Sequence, residues 1–303
     1  MLTLGFFFLL LSALVSSAKP YRFEDINTII SFGDSYTTRY IDLSNLTYAC
    51  RNCTSAGAPN WVVYIEDDTR WVSWDFAASG APLNNALVHK YPPVHDLEDQ
   101  IQELYLGVFA APSATIENIV QSAYKKGSRT AHSTLNTIWI GINDIGLTFG
   151  WENTTAIDKE IMIRYASLID KLINYGERHF MFMNVPPIER SPRWSNTTER
   201  ATTIKTHVKA FNDRLSSMIK KLKSKYPSGT FLEYDTWALF TKLLDNPAEY
   251  NIMDVTTYCI DWSAPTQHDC KPMQEYFWYD NLHPTYPVHQ VLAKDIIAYL
   301  KKN

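Results

Sequence analysis

Short runs of β-branched and aromatic residues recur along this chain, most of them ending at Gly or Pro, with stretches of helical periodicity between them. Thr28 to Phe32 stops at Gly33, Asn136 to Ile140 stops at Gly141, Phe180 to Val185 stops at Pro186-Pro187, and Phe231 to Tyr234 forms a fourth run. Runs of this length and composition read as buried parallel strands. Helical patterns occupy Leu97 to Phe109, Ala156 to Tyr175 and Thr203 to Lys225. In the last of these, Ile204, Val208, Phe211, Leu215, Ile219 and Leu222 recur at three- or four-residue intervals, which makes one apolar stripe. Strand alternating with helix predicts βαβ units and an α/β fold whose central parallel sheet is covered on both faces. In such sheets the ligand crevice lies beyond the carboxyl ends of the strands. Ser35 follows the first run, Asn143 follows the second, and Gly80 follows the extended stretch Trp71 to Ala77, so all three are expected at one edge.

The chain has 303 residues, 46% of them hydrophobic, enough for one large α/β domain or two small ones. There is no internal repeat, low-complexity tract or Gly/Ser linker, so residues 19–303 are expected to form one domain. A formal net charge of −4 supplies no surplus of Lys and Arg for a phosphate backbone, which argues against nucleic acid as a partner. Nine Trp and eighteen Tyr point first to a bulky core and second to a surface that stacks on sugar rings.

Residues 1–18 run through an apolar stretch from Leu4 to Val15 into Ser16, Ser17 and Ala18, the pattern of a signal peptide cleaved before Lys19. The usual Lys or Arg ahead of the apolar run is missing. The run is also shorter than the ~20 residues of a spanning helix, so no stable membrane insertion is expected. Four N-x-Ser/Thr sequons, at Asn45, Asn52, Asn153 and Asn196, are candidate glycan sites and agree with a secreted, extracellular protein. The cysteines fall as two close pairs, Cys50 with Cys53 and Cys259 with Cys270. In an oxidising compartment these read as two local disulfides, although four cysteines allow three connectivities. Cys50-Arg51-Asn52-Cys53 also has redox or zinc spacing, but it lacks a second ligand pair and a preceding thioredoxin-like strand.

A serine hydroxyl is a poor nucleophile at neutral pH; it needs a base, and the base needs a group that holds its tautomer. Asp280-Asn281-Leu282-His283 offers both within one tight turn, followed by Pro284 and by Thr285 as a candidate cap of a helix running to Lys301. Taken alone, an Asp-x-x-His of this kind is more often a surface loop. Attack on an ester also creates an oxyanion that must meet preformed donors. The candidates are the backbone N–H of Ser35, the backbone N–H of Gly80 and the side-chain amide of Asn143. Gly80 is equally at home as a turn glycine in Ser79-Gly80-Ala81-Pro82, and Asn143 as a loop asparagine.

Four segments together go further. Phe32-Gly33-Asp34-Ser35-Tyr36, Ala78-Ser79-Gly80-Ala81, Ile140-Gly141-Ile142-Asn143-Asp144 and Asp280-Asn281-Leu282-His283-Pro284 resemble the sequence blocks of the GDSL/SGNH hydrolases, in the family's order and across most of the chain. The resemblance implies a flavodoxin-like, three-layer α/β/α fold. It also implies Ser35 as nucleophile and first oxyanion donor, Gly80 and Asn143 as the other donors, His283 as base and Asp280 as its orienter, with Asp34 and Asp144 in support. Two positions depart from the family: Tyr36 stands where Leu ends the family's name, and Ser79-Gly80 replaces a Gly-Gly pair. Longer phrases, among them Asn60-Trp61-Val62-Val63-Tyr64, Asn184-Val185-Pro186-Pro187 and Leu282-His283-Pro284-Thr285, resemble secreted fungal members of carbohydrate esterase family 16. That resemblance implies an acetyl esterase acting on hemicellulose-derived sugars. Separately, Trp278, Tyr279, Tyr36 and Tyr40 lie near the expected site, where they would either stack on a sugar face or pack into the core.

The expected reaction is two-step acyl transfer on an acetylated oligosaccharide or other small ester, by a monomer that needs no metal or organic cofactor. No H-E-x-x-H pattern, phosphate-cradling glycine loop or dinucleotide fingerprint is present in the sequence. The same parts would serve a lipase or phospholipase-like acylhydrolase, against which stands the lack of an extended amphipathic lid. A silent carbohydrate-binding protein of the same fold would have no need of the Ser35, Asn143, Asp280 and His283 set.

Overall fold

The computed structural model describes residues 20–110 and 129–303, so the expected signal peptide at 1–18 lies outside the described residues. Five strands, β1 (Thr28–Gly33), β4 (Val72–Asp75), β5 (Thr134–Trp139), β6 (His179–Met183) and β7 (Thr230–Tyr234), form one sheet in the order β4-β1-β5-β6-β7. Every pairing in it is parallel. β1, β5 and β6 are buried at every position, so both faces of the sheet are covered.

The helices α1 (Trp61–Thr69), α2 (Leu97–Asp99), α3 (Ile142–Thr148), α4 (Thr154–Tyr175), α5 (Thr198–Lys225), α6 (Thr236–Asp245) and α7 (Tyr286–Leu300) supply that cover. They gather in two groups, α1 against α7, and α3 and α4 against α5. The apolar stripe of α5 is the one read from its periodicity, with Met218 and His207 added to the buried face. The helix begins five residues before the expected Thr203, because the Thr197 side chain accepts from the Arg200 N–H and starts a first turn that is solvated and carries no apolar signal.

Two other expectations need correction. The segment Leu97 to Phe109 is α-helical only to Asp99; from Gln100 to Phe109 it is a π-helix, whose buried Ile101, Tyr105 and Phe109 fall at intervals of four. Thr285 does occupy the N-cap of α7, but its hydroxyl donates to the Tyr276 carbonyl at 2.7 Å and does not cap the helix.

The chain runs from β1 outward to β4 and then crosses back to β5 on the other side of β1. The order therefore reverses between β1 and β5, and a crevice opens beyond their carboxyl ends. The outer edge of β4 is closed by Tyr48, on a small hairpin of β2 (Ile41–Asp42) and β3 (Thr47–Tyr48). The Tyr48 hydroxyl donates to the Ser73 carbonyl at 3.1 Å and accepts from the Asp75 N–H at 2.8 Å, which occupies a ladder position that would otherwise stay open. Disulfides join Cys50 to Cys53 and Cys259 to Cys270, each with a Cα–Cα separation of 5.4 Å. Among the described residues no helix is long and apolar enough to cross a membrane.

Gly33 ends β1 with φ +149°, and a Cβ there would stand 2.2 Å from the Trp139 carbonyl oxygen of the adjacent strand. Gly33→Ala must therefore push β1 away from β5. Its cost is expected at or above the upper end of the ~1–3 kcal/mol of an overpacked core, read as a lowered midpoint in urea unfolding.

Candidate active site

The residues after β1 form a tight turn: Thr37 and Thr38 both donate their N–H to the Asp34 carbonyl at 3.0 Å. One end of this turn is clamped by Gln100, fully buried, whose side-chain amide accepts from the Gly33 N–H at 2.9 Å and donates to the Gly33 carbonyl at 2.8 Å. The other end is held by Asn60, which donates to the Thr37 carbonyl at 2.6 Å while its oxygen caps α1. Ser35 stands between the two clamps, only 7% exposed.

The Asp280–His283 loop meets this turn from the far end of the chain. Asp280 Oδ1 accepts the N–H groups of Leu282 and His283, both at 2.8 Å, so one carboxylate oxygen shapes the turn. Its Oδ2 lies 2.8 Å from His283 Nδ1, and His283 Nε2 lies 2.7 Å from Ser35 Oγ. Burial alone would raise the Asp280 pKa, but the His283 ring, its charge and the two backbone N–H groups together hold it below the usual carboxylate value. An ionised carboxylate only accepts, so Nδ1 carries the ring proton and Nε2 is left to accept from the serine. The Tyr36 hydroxyl donates to the Leu282 carbonyl at 2.6 Å, and the Arg193 N–H donates to the Asn281 carbonyl at 2.8 Å. Behind Tyr36 lies a second histidine, His289, wholly buried; burial pushes its pKa down to about 3, with the His283 charge acting in the same direction.

Three N–H groups at this edge remain open to a ligand. Neither the Ser35 nor the Gly80 backbone N–H has an acceptor among the described residues. Gly80 sits at φ +75° in a turn closed by the Ala81 N–H on the Ala78 carbonyl at 3.1 Å, and the Ala78 N–H in turn donates to the Gly33 carbonyl at 3.1 Å. Asn143, in the first turn of α3, donates one amide hydrogen to the Ala81 carbonyl at 3.0 Å, which leaves its second. Asp144 accepts the Leu83 N–H at 2.9 Å, so neighbouring residues of α3 fasten the Gly80 segment on both sides of Pro82.

Ser79 takes the family's glycine position without loss of the turn, and its hydroxyl accepts from Tyr40 at 3.2 Å. Of the four aromatics considered for sugar stacking, Tyr36 and Trp278 are each 1% exposed and belong to the core. Tyr279 is partly buried against Trp262 in a parallel stack, and Tyr40 alone is open, at 49%. Asn45, Asn52, Asn153 and Asn196 are all exposed. Among the described residues no group of three His, Cys, Asp or Glu is placed to hold a metal ion. The Gln100 clamp and the Tyr36–Leu282 bond escaped the sequence reading, since neither residue type nor local spacing signals a partner 67 or 246 positions away.

The parallel sheet, with helices over both faces, makes a three-layer α/β/α sandwich. Residues 29–296 match the family GDSL-like Lipase/Acylhydrolase, and the chain belongs to that family, which makes it a carboxylic ester hydrolase. Two fungal relatives extend over nearly all of it. An acetylesterase of Thermothelomyces thermophilus is 26% identical over 93% of this chain and 91% of its own length. An acetylesterase of Hypocrea jecorina is 21% identical over 96% and 93%. Among solved structures, an acetylxylan esterase from Geobacillus stearothermophilus aligns with a TM-score of 0.47 at 14% identity, over 90% of this chain and 94% of that one.

Burial pushes the carboxyls of Asp34 and Asp144 up from 3.8 to about 7, against the backbone N–H groups that each accepts. A raised folded-state pKa contributes stability that is complete below the unfolded value and is lost as pH rises through the folded one. The melting temperature is therefore expected to fall between about pH 4 and pH 7. Asp34→Asn, which cannot ionise, should flatten part of that slope; equal slopes in the two proteins would contradict it.

Proposed function

We propose that the chain is a secreted esterase that removes acetyl groups from hemicellulose-derived sugars, acting as one hydrolase domain over residues 19–303 after loss of residues 1–18. The observation that carries the reading is the unbroken relay from Asp280 Oδ2 through His283 to Ser35 Oγ, at 2.8 and 2.7 Å, beside two backbone N–H groups without acceptors. The acetyl preference draws on the fungal relatives named acetylesterase, which this chain matches over nearly its full length. The exposed Tyr40, bonded to the residue before Gly80, offers a ring face to a sugar at the mouth of the site. Two local disulfides and four exposed sequon asparagines fit export.

In this mechanism His283 Nε2 takes the Ser35 proton as Oγ attacks the acetyl carbonyl. The N–H groups of Ser35, Gly80 and Asn143 meet the oxyanion. The protonated imidazole then gives its proton to the departing sugar oxygen, which releases the alcohol and leaves an acetyl-serine. Water, deprotonated by the same nitrogen, repeats the sequence and frees acetate. Asp280 keeps Nδ1 protonated throughout and stabilises the imidazolium.

Ser35→Ala is expected to abolish turnover of p-nitrophenyl acetate with an unchanged melting profile, and retained activity would remove Ser35 as nucleophile. Asn143→Ala should slow kcat by about 10²-fold, the loss typical of one oxyanion donor. Acetate release from acetylated xylo- and manno-oligosaccharides should far exceed hydrolysis of octanoyl esters and triglycerides. The reverse ranking would turn the assignment to a lipid acylhydrolase.

A further inference from the structure

Among the described residues, one atom lies within 4 Å of where a Cβ on Gly80 would stand: the Lys90 ammonium nitrogen, at 3.6 Å. The Gly80 amide nitrogen is two bonds further on, so the positive charge lies within about 7 Å of it. Lys90 is only partly exposed, and no carboxylate of the described residues forms an ion pair with it. The acids of its own loop are otherwise engaged. Asp96 accepts the Asn85 and Asp99 N–H groups, and Glu98 is paired with Arg164 at 3.0 Å.

The loop that presents this lysine is braced. The Leu97 N–H closes its base on the Pro82 carbonyl at 3.1 Å, and the Lys90 N–H donates to the Asn85 carbonyl at 2.9 Å. The Asn85 side chain spans the loop, donating to the Val94 carbonyl at 2.7 Å and accepting the Val94 N–H at 3.4 Å. Val88 is buried, and the His89 ring rests on Trp151 with centroids 5.0 Å apart. The braced loop thus presents a lysine beside Gly80, its ammonium without an ion pair among the described residues.

We propose that Lys90 is a further electrostatic determinant of the reaction, whose ammonium stabilises the oxyanion through space while the N–H donors bind it directly. The inference rests on the reading of Gly80 as an oxyanion donor. An ester is neutral in the ground state and gains its negative charge only on attack, so a nearby cation favours the transition state and leaves substrate binding almost unchanged. The effect therefore belongs in kcat. Because the lysine is partly open to water, the field is also screened by salt, on a Debye length of about 8 Å at physiological ionic strength.

The test compares the full-length wild type with Lys90→Gln and Lys90→Arg on p-nitrophenyl acetate, a neutral ester, from low to high ionic strength. Lys90→Gln is expected to lower kcat by about tenfold at low salt, less than the loss of a contacting donor, with KM held within about twofold. Lys90→Arg should keep most of the activity, and added salt should slow the wild type while leaving Lys90→Gln unaffected. An unchanged kcat in Lys90→Gln, an equal loss in Lys90→Arg, or a loss confined to KM would each overturn the proposal. Stoichiometric labelling of Ser35 by an organophosphonate, checked in all three proteins, separates this failure from failure of the site reading itself: a wild type that takes no label would sink the latter.

Discussion

The peptide of Gly33 is the junction on which the site depends. Its N–H and carbonyl are both taken by the Gln100 amide, its carbonyl also receives the Ala78 N–H, and its missing Cβ lets β1 lie against the Trp139 carbonyl. One residue thereby fixes the spacing of β1 and β5, the path into the Ser35 turn and the approach of the Gly80 segment. A larger residue would not merely add strain at one point. It would separate the proposed nucleophile from two of the three N–H groups proposed as its donors at once, because both are referenced to the same pair of strands.

The second requirement is closure between the chain's two ends. Ser35 and His283 are 248 positions apart, and a single hydrogen bond of 2.7 Å would not hold two loops together against solvent. The junction is instead buttressed from both sides. The Tyr36 hydroxyl reaches the Leu282 carbonyl, Tyr36 packs edge-on to Trp139, and Trp139 donates its indole N–H to the Asn184 carbonyl at 3.0 Å. Tyr36, the departure from the family's usual Leu, is therefore the residue through which the nucleophile turn grips the histidine loop.

Much of this was legible in the sequence wherever the signal is local. The strand runs were readable from their β-branched and aromatic residues, and β1 does end at Gly33, while β5 and β6 stop at Trp139 and Met183, before the Gly141 and Pro186 that punctuate the sequence. The α5 stripe was plain because eight buried positions repeat on one face. Shorter elements were missed: α1 is nine residues long and α6 ten, each below the roughly 11-residue window over which a helical period is read. The four site segments were readable only as a set, since an Asp-x-x-His or a turn glycine has many innocent uses. Their mutual fastening, by Asn143 on Ala81 and Asp144 on Leu83, is a matter of contacts between loops that no spacing encodes. The same limit explains the aromatics: Trp278 and Tyr36 are near the site in sequence, and only the packing shows that they face inward.

The arrangement of charge around the pocket has its own logic. An oxyanion is opposed by any nearby carboxylate, yet Asp34 adjoins Ser35, the proposed nucleophile, and Asp144 adjoins Asn143, a proposed donor. Both accept backbone N–H groups and so shape the turns, a task that needs oxygen lone pairs but no negative charge. Burial resolves the conflict by favouring their neutral forms up to about pH 7, and it does so at the expense of stability as the pH rises. Asp280 is the opposite case: partly open, and supplied with three N–H donors, it keeps the charge that the imidazole needs. Chemically identical side chains are thus divided between scaffolding and electrostatics by exposure, by the donors they accept and, for Asp280, by the neighbouring imidazole.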